Sequence, residues 1–169
     1  MPTLTASISS KTSDRYQDDL GQYVIPAIDF GRSFQAGTGA NQANLLYLAH
    51  GTIASNASPD VLDLTDGSMI GWGQTSANQP LVFAEVASIA VKNLDATNAI
   101  TLGGATNALA GLFGNVADTV VIPPGGTFIF SAPGDPALAV TASTADELKL
   151  AVSAGTDVAY AIRILGRSA

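Results

Sequence analysis

Two neighbouring runs, Leu148-Lys-Leu-Ala-Val152 and Val158-Ala-Tyr-Ala-Ile-Arg-Ile-Leu165, decide the fold. In the second run Tyr160, Ile162 and Ile164 alternate with alanine and arginine. A period of two places successive side chains on opposite faces of a pleated sheet. Each run is therefore predicted to be a strand with one face turned to a core.

The same pattern extends over residues 83 to 165 as a series of short runs separated by turn sequences such as Pro123-Pro-Gly-Gly126. Regularly spaced short strands indicate a β-sandwich or barrel. We predict an all-β protein, an antiparallel β-sandwich of jelly-roll-like form. In β-strand 83 to 91, Phe83, Ala87, Ile89 and Val91 are predicted to share one face. The predicted core comprises Phe83, Ile89, Val91, Phe128, Phe130, Leu148, Leu150, Tyr160, Ile162 and Ile164.

The composition limits the classes of function. The 169 residues fit one domain with or without an attached segment. Only 12% of residues are charged, about half the usual share, which favours surfaces that are covered by partners. The net charge of −7 and the lack of a basic cluster disfavour binding to nucleic acid or to an anionic membrane. Without cysteine, disulfides and thiolate metal sites are excluded.

The N-terminal quarter differs from the rest. Apolar residues are sparse there and flank a polar stretch at 11–22, so residues 1–42 are predicted to form an extended arm and residues 43–169 the sandwich domain. The alternative is a pair of ordinary edge strands in one domain. The arm and a glycine-flanked tryptophan are the expected contacts with a neighbouring subunit, and tryptophan is a frequent interface anchor. The predicted interface residues are Leu4, Ile8, Tyr23, Ile25, Phe34 and Trp72.

Candidate chemistry is weak throughout the chain. His50, the only histidine, is expected on the face of Leu46 and Leu48 at a strand end, as a structural residue. No Gly-x-Ser-x-Gly motif marks a nucleophile. The aspartates at 60, 63 and 66 are expected to be solvated turn carboxylates, with a calcium site as the alternative. We therefore expect no enzyme activity, no catalytic residue, no metal and no cofactor.

The order of several short motifs along residues 34–166 resembles a group of small structural proteins of tailed bacteriophages. The motifs include Phe34-Gln-Ala-Gly-Thr-Gly-Ala-Asn-Gln-Ala-Asn-Leu-Leu-Tyr47, Val121-Ile-Pro-Pro-Gly-Gly126 and Tyr160-Ala-Ile-Arg-Ile-Leu-Gly166. The resemblance implies a virion protein. Its first implication is a head decoration (cement) protein that bridges capsid subunits. The alternatives are a tail, neck-adaptor or baseplate component, and a receptor- or glycan-binding module.

The partners that follow from this resemblance are the major capsid protein or another virion protein, together with further copies of the chain. A homo-oligomer is expected, with a trimer favoured. The start Met1-Pro-Thr-Leu lacks the basic and apolar regions of a signal peptide. The expected location is the virion, after synthesis in the host cytoplasm.

Overall fold

The computed structural model describes residues 32–55, 59–71, 80–152 and 155–169, and the backbone alone of three short strands at 6–8, 16–17 and 23–24. Strands dominate this part of the chain, and its one helix is α1, Ala110–Phe113. The first seven strands are β1 (Ala6–Ile8), β2 (Tyr16–Gln17), β3 (Tyr23–Val24), β4 (Arg32–Ala36), β5 (Gln42–Ala43), β6 (Leu45–Ile53) and β7 (Asp60–Asp63). The next seven are β8 (Glu85–Asn93), β9 (Ile100–Gly103), β10 (Thr119–Ile122), β11 (Thr127–Ser131), β12 (Leu138–Ala139), β13 (Glu147–Val152) and β14 (Val158–Arg167).

Two antiparallel sheets pack face to face, which confirms the predicted all-β sandwich. The larger, five-stranded sheet has the order β11-β8-β14-β6, and β12 also pairs with β8. The smaller sheet has the order β10-β9-β13-β7. The chain crosses from one sheet to the other after β6, β7, β8, β10, β12 and β13. As a result, strands distant in sequence, such as β8 and β14, become neighbours.

The main core fills the space between these sheets. The smaller sheet contributes Leu148 and Leu150, and β14 contributes Tyr160, Ile162 and Ile164. Eight of the ten predicted core residues are buried in the described structure, so the two-residue period identified the inner face correctly. These eight are Phe83, Ile89, Val91, Leu148, Leu150, Tyr160, Ile162 and Ile164.

Phe128 and Phe130 are the exceptions, because both are only half-buried. They lie in β11, which forms an edge of the larger sheet, and they pack against the core from there. Full burial was the wrong prediction for these two rings. An edge strand has a neighbour on one side only, and alternation along a strand does not show where the sheet ends.

Ala87 is a second correction. Along β14, Leu165 pairs with Ser88 and the next residue, Gly166, pairs with Val86. Ala87 is thus the extra residue of a β-bulge, which shifts the alternation by one position. Ala87 consequently lies on the opposite face from Ile89, in a small cluster beside Leu165.

The segment before β6 covers one end of the outer face of the larger sheet. Phe34 of β4 and Ala43 of β5 are buried against Ala87 and Leu165. β4 pairs with β1 on one side and, in parallel, with β5 on the other. Residues 32–43, most of which were assigned to the arm, therefore pack on the sandwich of their own chain. Residues 9–15, 18–22 and 25–31 lie outside the described part.

Candidate interaction surface

The predicted interface residues fall into three groups. Leu4, Ile25 and Trp72 lie outside the described residues, and Ile8 and Tyr23 are described only as backbone in β1 and β3. Their interface roles stay predictions. Phe34 is 1% exposed within its own chain. Its ring is core, so the prediction that it contacts a neighbour is corrected: β4 docks on the sheet and leaves no ring surface for a partner.

A broad exposed surface remains on the outer face of the larger sheet, beyond the end that Phe34 covers. We call it the small-residue face. Strand register sets its rows. Ile129, Ala90, Arg163 and Leu48 lie side by side across the four strands. In the next row lie Thr127, Lys92, Ala161 and His50. Ala159 and Thr52 form a third, shorter row.

The chemistry of this face is unusual for an acidic chain. Alanines 90, 159 and 161 lie on its two central strands, and their side chains project little from the sheet. Ile129 and Leu48 stand at its two sides, 47% and 39% exposed. The face carries Lys92 and Arg163, and none of its residues is Asp or Glu although the chain has 14 acidic residues. Small side chains allow another backbone to approach closely, and the apolar ones favour burial.

Arg167 ties the covered end of the sheet together. Its side chain is 1% exposed and donates to Glu85 Oε2 at 2.7 Å. It also donates to the carbonyl oxygens of Gln42, at 3.0 Å, and of Gly134, at 2.8 Å. One guanidinium therefore joins the segment with β4 and β5, which we call the N-terminal layer, to β8 and to the turn before β12. Its several fixed donors allow this. Arg163 lies within β14, as the run from 158 to 165 predicted, and Arg167 is the last residue of the same strand.

His50 lies in β6 and is exposed on the small-residue face. Its predicted position on the face of Leu46 and Leu48 agrees with the alternation along β6 and the register to β14. Its predicted position at a strand end is wrong, because β6 continues to Ile53. The ring is therefore part of a surface.

The aspartates at 60, 63 and 66 are held separately. Asp60 accepts a hydrogen bond from the hydroxyl of Tyr160. Asp63 accepts from the backbone N–H groups of Thr65 and Asp66, and Asp66 from that of Ser68. Hydrogen bonds from the side chain and then the backbone of Ser68 lower the pKa of Asp66. The described residues contain no group of three or more metal-ligating side chains.

Asp146 is the one buried carboxylate near this turn. Its Oδ2 accepts from the Thr65 hydroxyl at 2.9 Å and from the backbone N–H of Ser143. Its Oδ1 accepts no hydrogen bond from the described residues. The carboxylate links the turn after β7 to the turn before β13, which is a structural role.

Comparison with protein-family models, with curated proteins and with solved structures found no match for this chain. Within the part that the structure describes, no helix has the length and apolar character to span a membrane.

Sequence reasoning missed the small-residue face. The alanines that alternate with Tyr160 and Ile162 were a usable signal, because they mark a face of β14 that lies away from the core and carries small side chains. The other half of the signal was inaccessible, since only register shows that Ala90, Ala161 and Leu48 come from adjacent strands.

Proposed function

We propose that the chain is a structural subunit of a tailed-bacteriophage virion, and that it acts as a head decoration protein that bridges capsid subunits. The small-residue face carries this proposal. It is a sheet surface with apolar margins and small central side chains, and such a surface fits a protein partner.

The strand order adds support. Apart from the two-residue β12, the two sheets contain four strands each, and their repeated crossings are compatible with the predicted jelly-roll form. Jelly rolls are used in viral capsid domains and also in lectins and cupins, so the fold by itself does not select a function. The motif order of residues 34–166 supports the virion interpretation, and a tail or neck component is its alternative.

The mechanism is the addition of contact area between subunits of a shell. A standard protein interface buries about 1,600 Å² in total. Many copies of even a modest contact add up through multivalency, because each subunit is held close to its next site. Surface cations such as Lys92 contribute little to such binding, since exposed ion pairs stabilise by about 0–1 kcal/mol.

The first experiment measures copy number. Particles made by the genome that encodes this chain are purified, and the ratio of this chain to the major capsid protein is determined by quantitative mass spectrometry. Hundreds of copies per particle are expected for head decoration. About a dozen copies or fewer would place it in the neck or tail, and its absence from particles would refute the proposal.

The second experiment tests the face itself with a matched pair of variants. Ala161→Gln adds a bulky neutral side chain to the small-residue face, and Ala151→Gln adds the same side chain to the outer side of the smaller sheet. Particles lacking the chain are incubated with each variant and pelleted. Ala161→Gln should bind poorly, whereas Ala151→Gln should bind like the wild type. Equal binding by both variants would exclude this face.

A salt series completes the test. Salt screens exposed charge pairs over about 8 Å at physiological ionic strength and about 3 Å at 1 M, but it does not weaken apolar burial. The chain should therefore stay in the particle pellet up to about 1 M sodium chloride. Steep release at moderate salt would contradict attachment through apolar contacts.

A further inference from the structure

The second feature without a partner in the described structure is the free edge of β6. This strand has nine residues and ends the order of the larger sheet, with β14 on one side only. No described residue forms a backbone bond to its other side. Long edge strands present unpaired N–H and C=O groups, and natural proteins usually protect them with proline, lysine, bulges or short length. β6 contains no proline, no Lys or Arg, and no acidic residue.

The direction of the backbone groups along β6 follows from one hydrogen bond. The N–H of Leu94 donates to the carbonyl of Ala159 at 2.9 Å, so the backbone groups of Ala159 point to β8. Those of the next residue, Tyr160, point to β6, because direction alternates along a strand. Tyr160 pairs with Gly51, so the backbone groups of Gly51 point to β14. The same holds for every second residue of β6 counted from Gly51. The residues whose backbone groups point outward are Leu46, Leu48, His50 and Thr52.

This set is symmetric about Ala49. If a second copy of β6 is laid antiparallel to the first with the two-fold axis at Ala49, Leu48 faces His50 of the second copy. Leu46 then faces Thr52 of the second copy. Every outward residue meets another outward residue, as the hydrogen-bonded pairs of an antiparallel ladder require. The two His50 rings are not opposite each other, so no like charges are directly paired.

We propose that two copies of this chain associate through antiparallel pairing of their β6 edges, which forms one continuous sheet across a two-fold axis. An isologous contact of this kind is a common way to close a homodimer, and main-chain bonds provide the affinity in strand addition. Stacking two small-residue faces is the less favourable arrangement, because it would bury Lys92 of each copy against a surface without a carboxylate.

The contact has a consequence for assembly. The axis is perpendicular to the sheet, so the small-residue faces of both copies point to the same side. The dimer thereby presents a docking surface of double width. This use of the dimer rests on the function proposed above, whereas the contact itself is measured on the purified chain. The contact is two-fold, in contrast to the trimer that the resemblance favours.

The test uses two double variants that change the same two surface positions. One variant places like charges opposite each other across the axis, and the other places opposite charges there. Leu48→Lys with His50→Lys places lysines opposite lysines across the axis. Leu48→Lys with His50→Glu places each lysine opposite a glutamate. Both positions are exposed in the monomer, so either variant should fold, which circular dichroism checks. Opposite charges directly across an antiparallel pair of strands stabilise it, and like charges destabilise it. Two pairs per dimer should separate the dissociation constants by about tenfold.

Sedimentation velocity over a concentration series reports the oligomer. The wild type should show a monomer–dimer equilibrium, the lysine–lysine variant a monomer, and the lysine–glutamate variant a dimer that weakens in salt. His50→Pro removes an outward N–H without removing a bond to β14, and it should also give a monomer. As the control, Val121→Lys, on β10 at an edge of the smaller sheet, should leave the equilibrium unchanged.

Three outcomes would overturn the inference. The first is a wild type that stays monomeric up to about millimolar concentration, a range in which even weak protein contacts are seen. The second is a dimer that the two double variants change equally. The third is a trimer that dissociates when residues 2–20 are removed, since this would indicate exchange of N-terminal arms instead. None of these results depends on particles, so the failure of the dimer and the failure of the virion role are distinguishable.

Discussion

Tyr160 shows how one residue connects the two sheets. It belongs to β14 in the larger sheet, and its hydroxyl donates to Asp60 of β7 in the smaller sheet. Its ring lies over Gly51 on the neighbouring strand, where an added Cβ atom would be 2.4 Å from the ring. Burial, followed by the bond to Asp60, raises the pKa of the Tyr160 hydroxyl. Burial and the charge of Asp60 also raise the pKa of Tyr47.

These shifts predict a loss of stability in alkali. The unfolded pKa of tyrosine is about 10, and folding raises it for Tyr160. The neutral hydroxyl is therefore favoured in the folded state. Its contribution to the free energy of unfolding is fully present below about pH 10 and decreases as the pH rises above that value. Urea unfolding between pH 8 and 11.5 should show a decline in the free energy of unfolding that is shallower for Tyr160→Phe than for the wild type. Parallel declines would contradict the assignment.

At the scale of elements, the pairing of β8 with β14 determines which faces are buried. The bulge at Ala87 reverses the alternation of β8, so that Ala87 supports the N-terminal layer while Ile89 and Val91 face the main core. Gly166 lies at the same irregularity. A Cβ atom at Gly166 would be 2.3 Å from the ring of Phe83 and 2.4 Å from the carbonyl oxygen of Glu85. The close approach of the two strands requires glycine here.

Gly166→Ala should therefore destabilise the fold. The backbone of Glu85 cannot move aside as a flexible side chain would, and overpacking of this kind costs about 1–3 kcal/mol or more. Gly39→Ala is the control, because its Cβ would meet only the end of the Gln42 side chain, at 3.2 Å. Thermal unfolding of both variants provides the measurement. A melting temperature for Gly166→Ala equal to that of Gly39→Ala would show that the strands are not so close.

At the scale of the whole molecule, the buried apolar residues form two clusters, one between the sheets and one under β4. In the described structure, all buried members of these clusters lie between Phe34 and Leu165. β1 contacts this body through its pairing with β4. Among the residues whose side chains the structure describes, the core is complete from β4 to β14.

Removal of residues 2–20 should leave a folded domain. Scanning calorimetry should show one cooperative transition, at a lower temperature because β4 loses its β1 partner. If the predicted arm reaches a neighbour, the truncated chain should also attach poorly to particles in the pelleting assay. A truncated chain without a cooperative transition would show that the stretch is part of the core, whereas full attachment would remove the arm from the interface.

The sequence by itself determined the fold class and most of the main core. Alternation of large apolar residues is a local property, and it identified the inner faces of β13 and β14 because only one side of each can be turned to the core. These conclusions needed no knowledge of which strands are neighbours.

Only the tertiary structure decided the rest, since each remaining feature joins residues that are distant in sequence. The edge position of β11 left Phe128 and Phe130 half-buried, and the bulge moved Ala87 to the other face. Arg167 reaches partners from Gln42 to Gly134. The small-residue face and the free edge of β6 are set by strand order and register. Those depend on the free energy of packing the whole chain, which no local pattern contains.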